Sequence, residues 1–209
     1  MLYIGANYHP HDWDRTRWAH DLDLMKESSF HVVRLGHLCW DSFEPSDSTF
    51  CFEWMDEVMD LCAERGIGVF LDIPTRPAPT WLHKKYPSID IVDHTNTRQN
   101  AHTRYMEDVG DPHFQKYACR LAGKLAERYG SHKALLAFGL CNELGDGFPS
   151  YSETARLRFL TWLKEKYGTI ENLNKAWSAR RWSRQLSSFD EADFPIGNGI
   201  AGARNVIWI

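Results

Sequence analysis

Leu135-Leu136-Ala137-Phe138-Gly139-Leu140-Cys141-Asn142-Glu143 is the stretch on which the fold turns. Its apolar part is short enough for a buried strand. It hands an amide and a carboxylate to the strand's C-terminal tip, and Gly145, Asp146 and Gly147 then open a loop. In a parallel α/β barrel that tip is where reacting groups stand. A glutamate held there against an apolar wall can protonate an oxygen as a glycosidic bond breaks, while the amide beside it holds a sugar hydroxyl. The plainer alternatives are a helix cap or salt bridge for Glu143 and backbone satisfaction for Asn142. The two residues together, at this place in the pattern, favour the chemical reading.

Outward from that strand the chain alternates. Leu2 to Ala6 reads as a buried first strand, followed by the aromatic loop Asn7-Tyr8-His9-Pro10-His11-Asp12-Trp13. Arg17 to Glu27 has helical spacing, with Trp18, Leu22 and Met25 inward and Asp21, Asp23 and Lys26 outward. Val32-Val33-Arg34-Leu35 is a second strand, with a loop from His37 to Ser48. Phe52 to Arg65 is a helix with Gly66 as its cap, and Gly68 to Ile73 is a third strand. Pro74-Thr75-Arg76-Pro77-Ala78-Pro79 starts a long loop that runs to about Gly110. Asp111-Pro112 then caps a helix to Tyr129, and two further helices follow the key strand, from Ser152 to Tyr167 and from Thr169 to Trp177. Four βα units in this order predict a parallel sheet with helices outside. No Gly-x-Gly-x-x-Gly or P-loop follows a strand, so a nucleotide-binding version has no support.

The 209 residues are 43% hydrophobic and carry a net charge of -4 with pI about 6.2. An acidic balance argues against nucleic-acid or anionic-membrane partners, and no apolar run approaches the roughly 20 residues that span a bilayer. Five scattered cysteines without a C-x-x-C pair suit reduced thiols. The N-terminus enters a strand-like run at once, with no secretory leader pattern, so the expected location is cytoplasmic. Nine tryptophans are core fillers by default and sugar platforms by opportunity.

Several segments together resemble glycoside hydrolase family 42, the β-galactosidases. They are Gly5-Ala6-Asn7-Tyr8-His9-Pro10 with Trp13; Asp21-Leu22-Asp23-Leu24-Met25-Lys26-Glu27 with Val32-Val33-Arg34-Leu35-Gly36; and Trp40-Asp41-Ser42-Phe43-Glu44-Pro45. Pro74-Thr75-Arg76-Pro77-Ala78-Pro79-Thr80-Trp81-Leu82, Asn142-Glu143 and the stretch from Tyr167 to Trp177 complete the set. The resemblance covers roughly Met1 to Asp190. It implies the first four βα units of a TIM barrel, a half barrel spanning residues 1–190, with a Gly-rich tail over residues 191–209. A full barrel takes roughly 250 residues.

The resemblance also implies an activity: retaining hydrolysis of terminal β-galactosides, with Glu143 as acid and then base. The family's nucleophilic glutamate lies on the seventh strand, and no residue of this chain matches it. By this reading the chain carries the acid/base half alone. The alternative is a non-catalytic half barrel that serves as a structural or weakly sugar-binding subunit. Two departures stand out: Cys141 replaces the family's Asp before Asn-Glu, and no cysteine cluster follows Glu143.

The expected site therefore has Glu143 as catalytic residue. Asn142, Arg34, Arg104, Trp40, Trp81 and His9 are expected as sugar contacts. Arg34, inside an apolar strand, needs a carboxylate partner, for which Glu143 and Glu44 are the candidates. His9-Pro10-His11 lacks a third ligand at metal spacing, so neither metal nor other cofactor is expected. The open edges of a four-stranded sheet and the apolar face beside them predict a homo-oligomer.

Overall fold

The computed structural model describes residues 2–99, 105–143, 150–181 and 183–193. Two compact units divide the chain. One comprises Met1–Ile89 and Asn100–Gly147, the other Asp90–Gln99 and Phe148–Ile209.

The first unit is built on four parallel strands in the order β1 (Gly5–Asn7), β2 (Val32–Leu35), β3 (Gly68–Asp72) and β4 (Leu135–Gly139). Each strand pairs with its successor in sequence. That is the outcome of repeated helical crossovers of one hand. The register assigns each side chain to a face. Ala6, Val33, Val69 and Leu135 form one lateral row, and Leu35, Leu71 and Phe138 form another on the same side. Val33, Leu35, Val69 and Leu71 are fully buried. Between these rows lies Asn7-Arg34-Phe70-Ala137, which points to the opposite side. A register shift between Val69 and Phe70 leaves Leu136 as the extra residue of β4.

Helices α1 (Trp18–Glu27), α3 (Glu53–Glu64) and α5 (Pro112–Tyr129) close the buried side. In α3, Met55, Val58, Met59 and Cys62 recur at helical spacing and are all fully buried. Gly66, at φ +65°, turns the chain from α3 into β3. In α5, Phe114, Tyr117, Ala118, Leu121, Leu125 and Tyr129 form the matching stripe. All five cysteines are free, and burial pushes the Cys62 thiol up to about 12.

Four expectations need correction. The predicted loop from His37 to Ser48 contains a one-turn helix, α2 (Trp40–Phe43), whose Trp40 and Phe43 are fully buried. The long loop before Gly110 contains α4 (Thr80–Lys85) and a 3-10 turn at Pro87–Ile89, both too short to show a period. Asp21 does not face outward: the Tyr8 hydroxyl donates to it at 3.1 Å. Finally, β1 and β4 are not buried strands. Every residue of β1 is exposed, and Leu136 is 49% exposed. They are the terminal strands of the sheet, and its Arg34–Phe70 side has no helical layer among the described residues.

The second unit carries α6 (Glu153–Tyr167) and α7 (Ile170–Ala176), packed around Phe159, Leu160, Leu163, Leu173 and Ala192. Ser152 and Thr169 cap these helices through their hydroxyl groups. Residues 194–209, most of the predicted Gly-rich tail, lie outside the described residues.

Candidate active site

Asn142 and Glu143 follow the C-terminal end of β4, within the first unit. The chain turns sharply there. Cys141 has φ +62° and Glu143 φ +48°, and Tyr105, which faces them, has φ +63°. Three non-glycine residues in the left-handed region around one point is a costly arrangement, about 1–3 kcal/mol each, and such strain clusters at functional sites.

One network orients the pair. Arg34, from β2, donates through Nη2 to Asn142 Oδ1 at 3.1 Å and to the Cys141 carbonyl at 3.4 Å. The Asn142 amide donates to the Tyr105 hydroxyl at 2.7 Å, and that hydroxyl donates to Glu143 Oε2 at 3.0 Å. A single phenol thus ties amide to carboxylate and leaves Glu143 open to solvent. Cys141 joins through its backbone carbonyl, a contact that no side chain at this position needs to supply.

Arg34 takes its carboxylate from neither expected candidate. Its ion pair is with Asp72 Oδ2, at 2.5 Å, from the end of β3. His37 Nδ1 meets the same oxygen at 3.1 Å. The register explains this: Arg34 lies beside Phe70, and Asp72 is two residues on, so it points to the same side. Asp72 is 2% exposed, and glycine makes its place. A Cβ on Gly139 would lie 2.1 Å from Asp72 Oδ1, and Gly36, at φ +75°, lets the β2 exit pass the Asp72 carbonyl. Glu44 is instead fully buried under α2, paired with Arg120 and accepting from the Trp40 indole at 3.0 Å.

A second buried cluster supports Tyr105. Arg76 Nη2 donates to the Tyr105 carbonyl at 2.8 Å, and its guanidinium lies over the tyrosine ring at 4.8 Å. Arg76 is itself paired with Glu107, 3.3 Å away, whose other oxygen accepts from the Ala78 backbone at 2.7 Å. The proline-rich exit of β3 is therefore the foundation of the loop that carries Tyr105.

Of the sequence-predicted site residues, the structure brings Arg34, Asn142 and Glu143 together. Trp40 is corrected: it is fully buried and offers no face for a sugar ring, because α2 turns it into the core. Trp81 is part-buried, with its indole donating to the Glu44 carbonyl at 2.9 Å. His9 follows β1, its ring 5.4 Å from that of His37. Arg104 lies outside the described residues. Sequence reasoning missed Asp72 and Tyr105. Sequence marks Asp72 only as an acid at a strand end; the β2–β3 register puts it on the face of Arg34. Nothing local marks Tyr105.

The view that His9-Pro10-His11 lacks a third ligand is also corrected. His9, His11 and Asp12 each offer a ligand atom, and these atoms lie within 4.8 Å of one another. The reason is a 3-10 turn over Pro10–Asp12, which brings residues three apart onto one side.

Residues 7–203 match the Glyco_hydro_42 family model, described as beta-galactosidase. The beta-galactosidase LacZ of Heyndrickxia coagulans is 38% identical over 195 residues, which is 93% of this chain and 29% of that relative. The beta-galactosidase BgaA of Clostridium cellulovorans is 34% identical over 94% of this chain and 30% of its own length. The crystal structure of a beta-galactosidase from the psychrophilic Marinomonas ef1 superposes with a TM-score of 0.90 at 34% identity, covering 94% of this chain and 30% of the other. The chain thus spans about 30% of the length of the relatives it matches. The parallel βα units are those of a TIM-barrel protein, and the chain belongs to the beta-galactosidase family, glycoside hydrolase family 42.

Proposed function

We propose that Glu143 is the acid/base carboxylate of a retaining hydrolase of terminal β-galactosides, with Asn142 holding a hydroxyl of the sugar. The observation that carries this reading is the Arg34–Asn142–Tyr105–Glu143 network at the C-terminal edge of the sheet, where an exposed carboxylate is held at 3.0 Å by a buried phenol. Arg34 fixes the amide oxygen, so Asn142 is oriented before any sugar arrives. In the first step Glu143 gives its proton to the leaving oxygen. In the second it takes one from the water that completes hydrolysis. Tyr105 keeps the carboxylate aimed through both steps. Trp81, by its place after β3, and Arg104, by family resemblance, are the further sugar contacts of this reading.

Retention needs a second carboxylate roughly 5–5.5 Å from the first. Asp72 is committed to Arg34 and His37. By the family resemblance no residue of these 209 matches the nucleophile, and we expect a polypeptide of this sequence to bind galactose weakly and turn over β-galactosides negligibly with net retention. Galactose titration followed by NMR, alongside an aryl β-galactoside assay, tests both parts. Asn142→Ala should abolish the binding shifts. Galactose shifts that survive Asn142→Ala would overturn the binding assignment. Robust retaining turnover that Glu143→Gln abolishes would overturn the half-site reading and point to a recruited carboxylate.

A second reading is favoured by the bare sheet face: association with another copy through that face or the open edges. It is compatible with the first.

A further inference from the structure

At the exit of β1, the turn Pro10–Asp12 is fixed from several directions. The Asp12 amide donates to the His9 carbonyl at 3.1 Å, and the Trp18 indole donates to the Pro10 carbonyl at 2.9 Å. Pro10 itself is buried. In a 3-10 turn, side chains three residues apart eclipse, so His9 and Asp12 stand on one side. His11 completes the group, its ring packed edge-on against Trp54 at 5.6 Å.

Two features of His11 are unusual for an ordinary polar residue. Its Nδ1 is buried and has no hydrogen-bond partner among the described residues. Its Nε2 stands 3.6 Å from Asp12 Oδ1, beyond the 2.7–2.9 Å of a charge-assisted hydrogen bond. That separation is what two ligands of one ion require: bonds of 2.0–2.2 Å in a tetrahedron put ligand atoms roughly 3.3–3.6 Å apart. The third ligand atom is within 4.8 Å, and the Asp12 side chain, 64% exposed, is free to turn inward.

We propose that His9, His11 and Asp12 form a binding site for a divalent transition ion of the zinc class. Two imidazoles and a carboxylate are a borderline donor set, matched to Zn²⁺ or Co²⁺ rather than Mg²⁺ or Ca²⁺, and three protein ligands leave a position for water. Bound through His11 Nε2, the atom that stands 3.6 Å from Asp12 Oδ1, the ion pins the β1 exit loop. It also adjoins the sugar site. The His9 ring is 5.4 Å from that of His37, and His37 bonds Asp72, the partner of Arg34. His9 accordingly serves as a ligand rather than as a sugar contact. The proposal does not depend on the glycosidase reading.

The test uses the full chain, stripped with chelator and titrated with Zn²⁺ against a competing chelator and with Co²⁺ by visible absorption. The expected result is one equivalent per chain at micromolar or tighter affinity, with tetrahedral Co²⁺ bands and no thiolate charge-transfer band. His9→Ala and Asp12→Asn should each weaken binding by about tenfold or more. His20→Ala, on the exposed side of α1, should not. Asp12 is at the surface, so its variant keeps the test decisive even if His11→Ala, beside Trp54, fails to fold. Absence of stoichiometric binding, unchanged affinity in the His9→Ala/Asp12→Asn double variant, or a thiolate band from the cysteines would each overturn the proposal.

Discussion

Gly139 shows how much one missing methyl decides. The Asp72 carboxylate occupies the space where a side chain at this position would begin, 2.1 Å from the ideal Cβ. Gly139→Ala is therefore expected to push Asp72 off Arg34 and His37, and so to free the arginine that orients Asn142. We expect a loss of about 1–3 kcal/mol in urea unfolding, as for overpacking elsewhere. The Asn142 side-chain amide resonances should shift as well. Wild-type stability and unchanged amide shifts would contradict this account.

Asp56 is the second residue with a measurable signature. Arg128 grips it through a fork that includes Nε at 2.7 Å, and Tyr129 adds its hydroxyl at 2.9 Å. The arginine hydrogen bonds, with the tyrosine's, hold its carboxyl below the usual carboxylate range. A depressed folded-state value means the contribution is complete above about pH 4, the unfolded range, and is lost as pH falls through the folded value. The stability gap between wild type and Asp56→Asn should shrink as pH falls below about 4 into the acid range. A gap that stays constant over that range would refute the linkage.

Among the elements, α5 is the most legible from sequence and the most dependent on one cap. Asp111 accepts from the backbone of His113 at 2.8 Å and Phe114 at 3.2 Å, and Pro112 follows at the first helical position. Asp111 is 1% exposed, so water cannot replace it. Asp111→Ala should cost about 1–2 kcal/mol, and Asp111→Asn much less, by thermal unfolding. Equal losses for the two variants would assign the effect to charge rather than capping. By contrast α2 and α4 were not legible. Their four and six residues are too few for a helical period, and tertiary burial of Trp40, Phe43 and Leu82 holds them.

For the whole molecule, the decisive feature is the side of the sheet that carries Phe70 and no helix among the described residues. Phe70 is 38% exposed, and at the strand ends and edges Leu2, Leu136 and Leu140 are 80%, 49% and 71% exposed. Parallel sheets occur with both faces covered, and bare apolar patches find partners. The 209-residue chain should accordingly be at least dimeric by light scattering at micromolar concentration, and Leu136→Lys should shift it toward monomer. A monodisperse wild-type monomer would remove the argument. In a dimer that paired two such sheets into one eight-stranded barrel, the two Glu143 side chains would come from opposite strands. They would be farther apart than the roughly 5–5.5 Å of retaining chemistry.

The order of the strands and of the longer helices, the polarity of the sheet and the location of Asn142-Glu143 past β4 were readable from the chain. They follow from local properties: apolar runs, helical spacing, and caps such as Asp111 and Gly66. The partners of the site residues were not readable. Arg34 needed a carboxylate, and sequence could name only candidates. Strand register selected Asp72, because the pairing of β2 with β3 places it on the same face. Tyr105 reaches Glu143 across 38 residues, through a loop anchored by Arg76 and Glu107. Side-chain pairing at that separation depends on where the backbone closes, and only the packed core fixes that. The same holds for Trp40, whose aromatic character is local and whose burial under α2 is not.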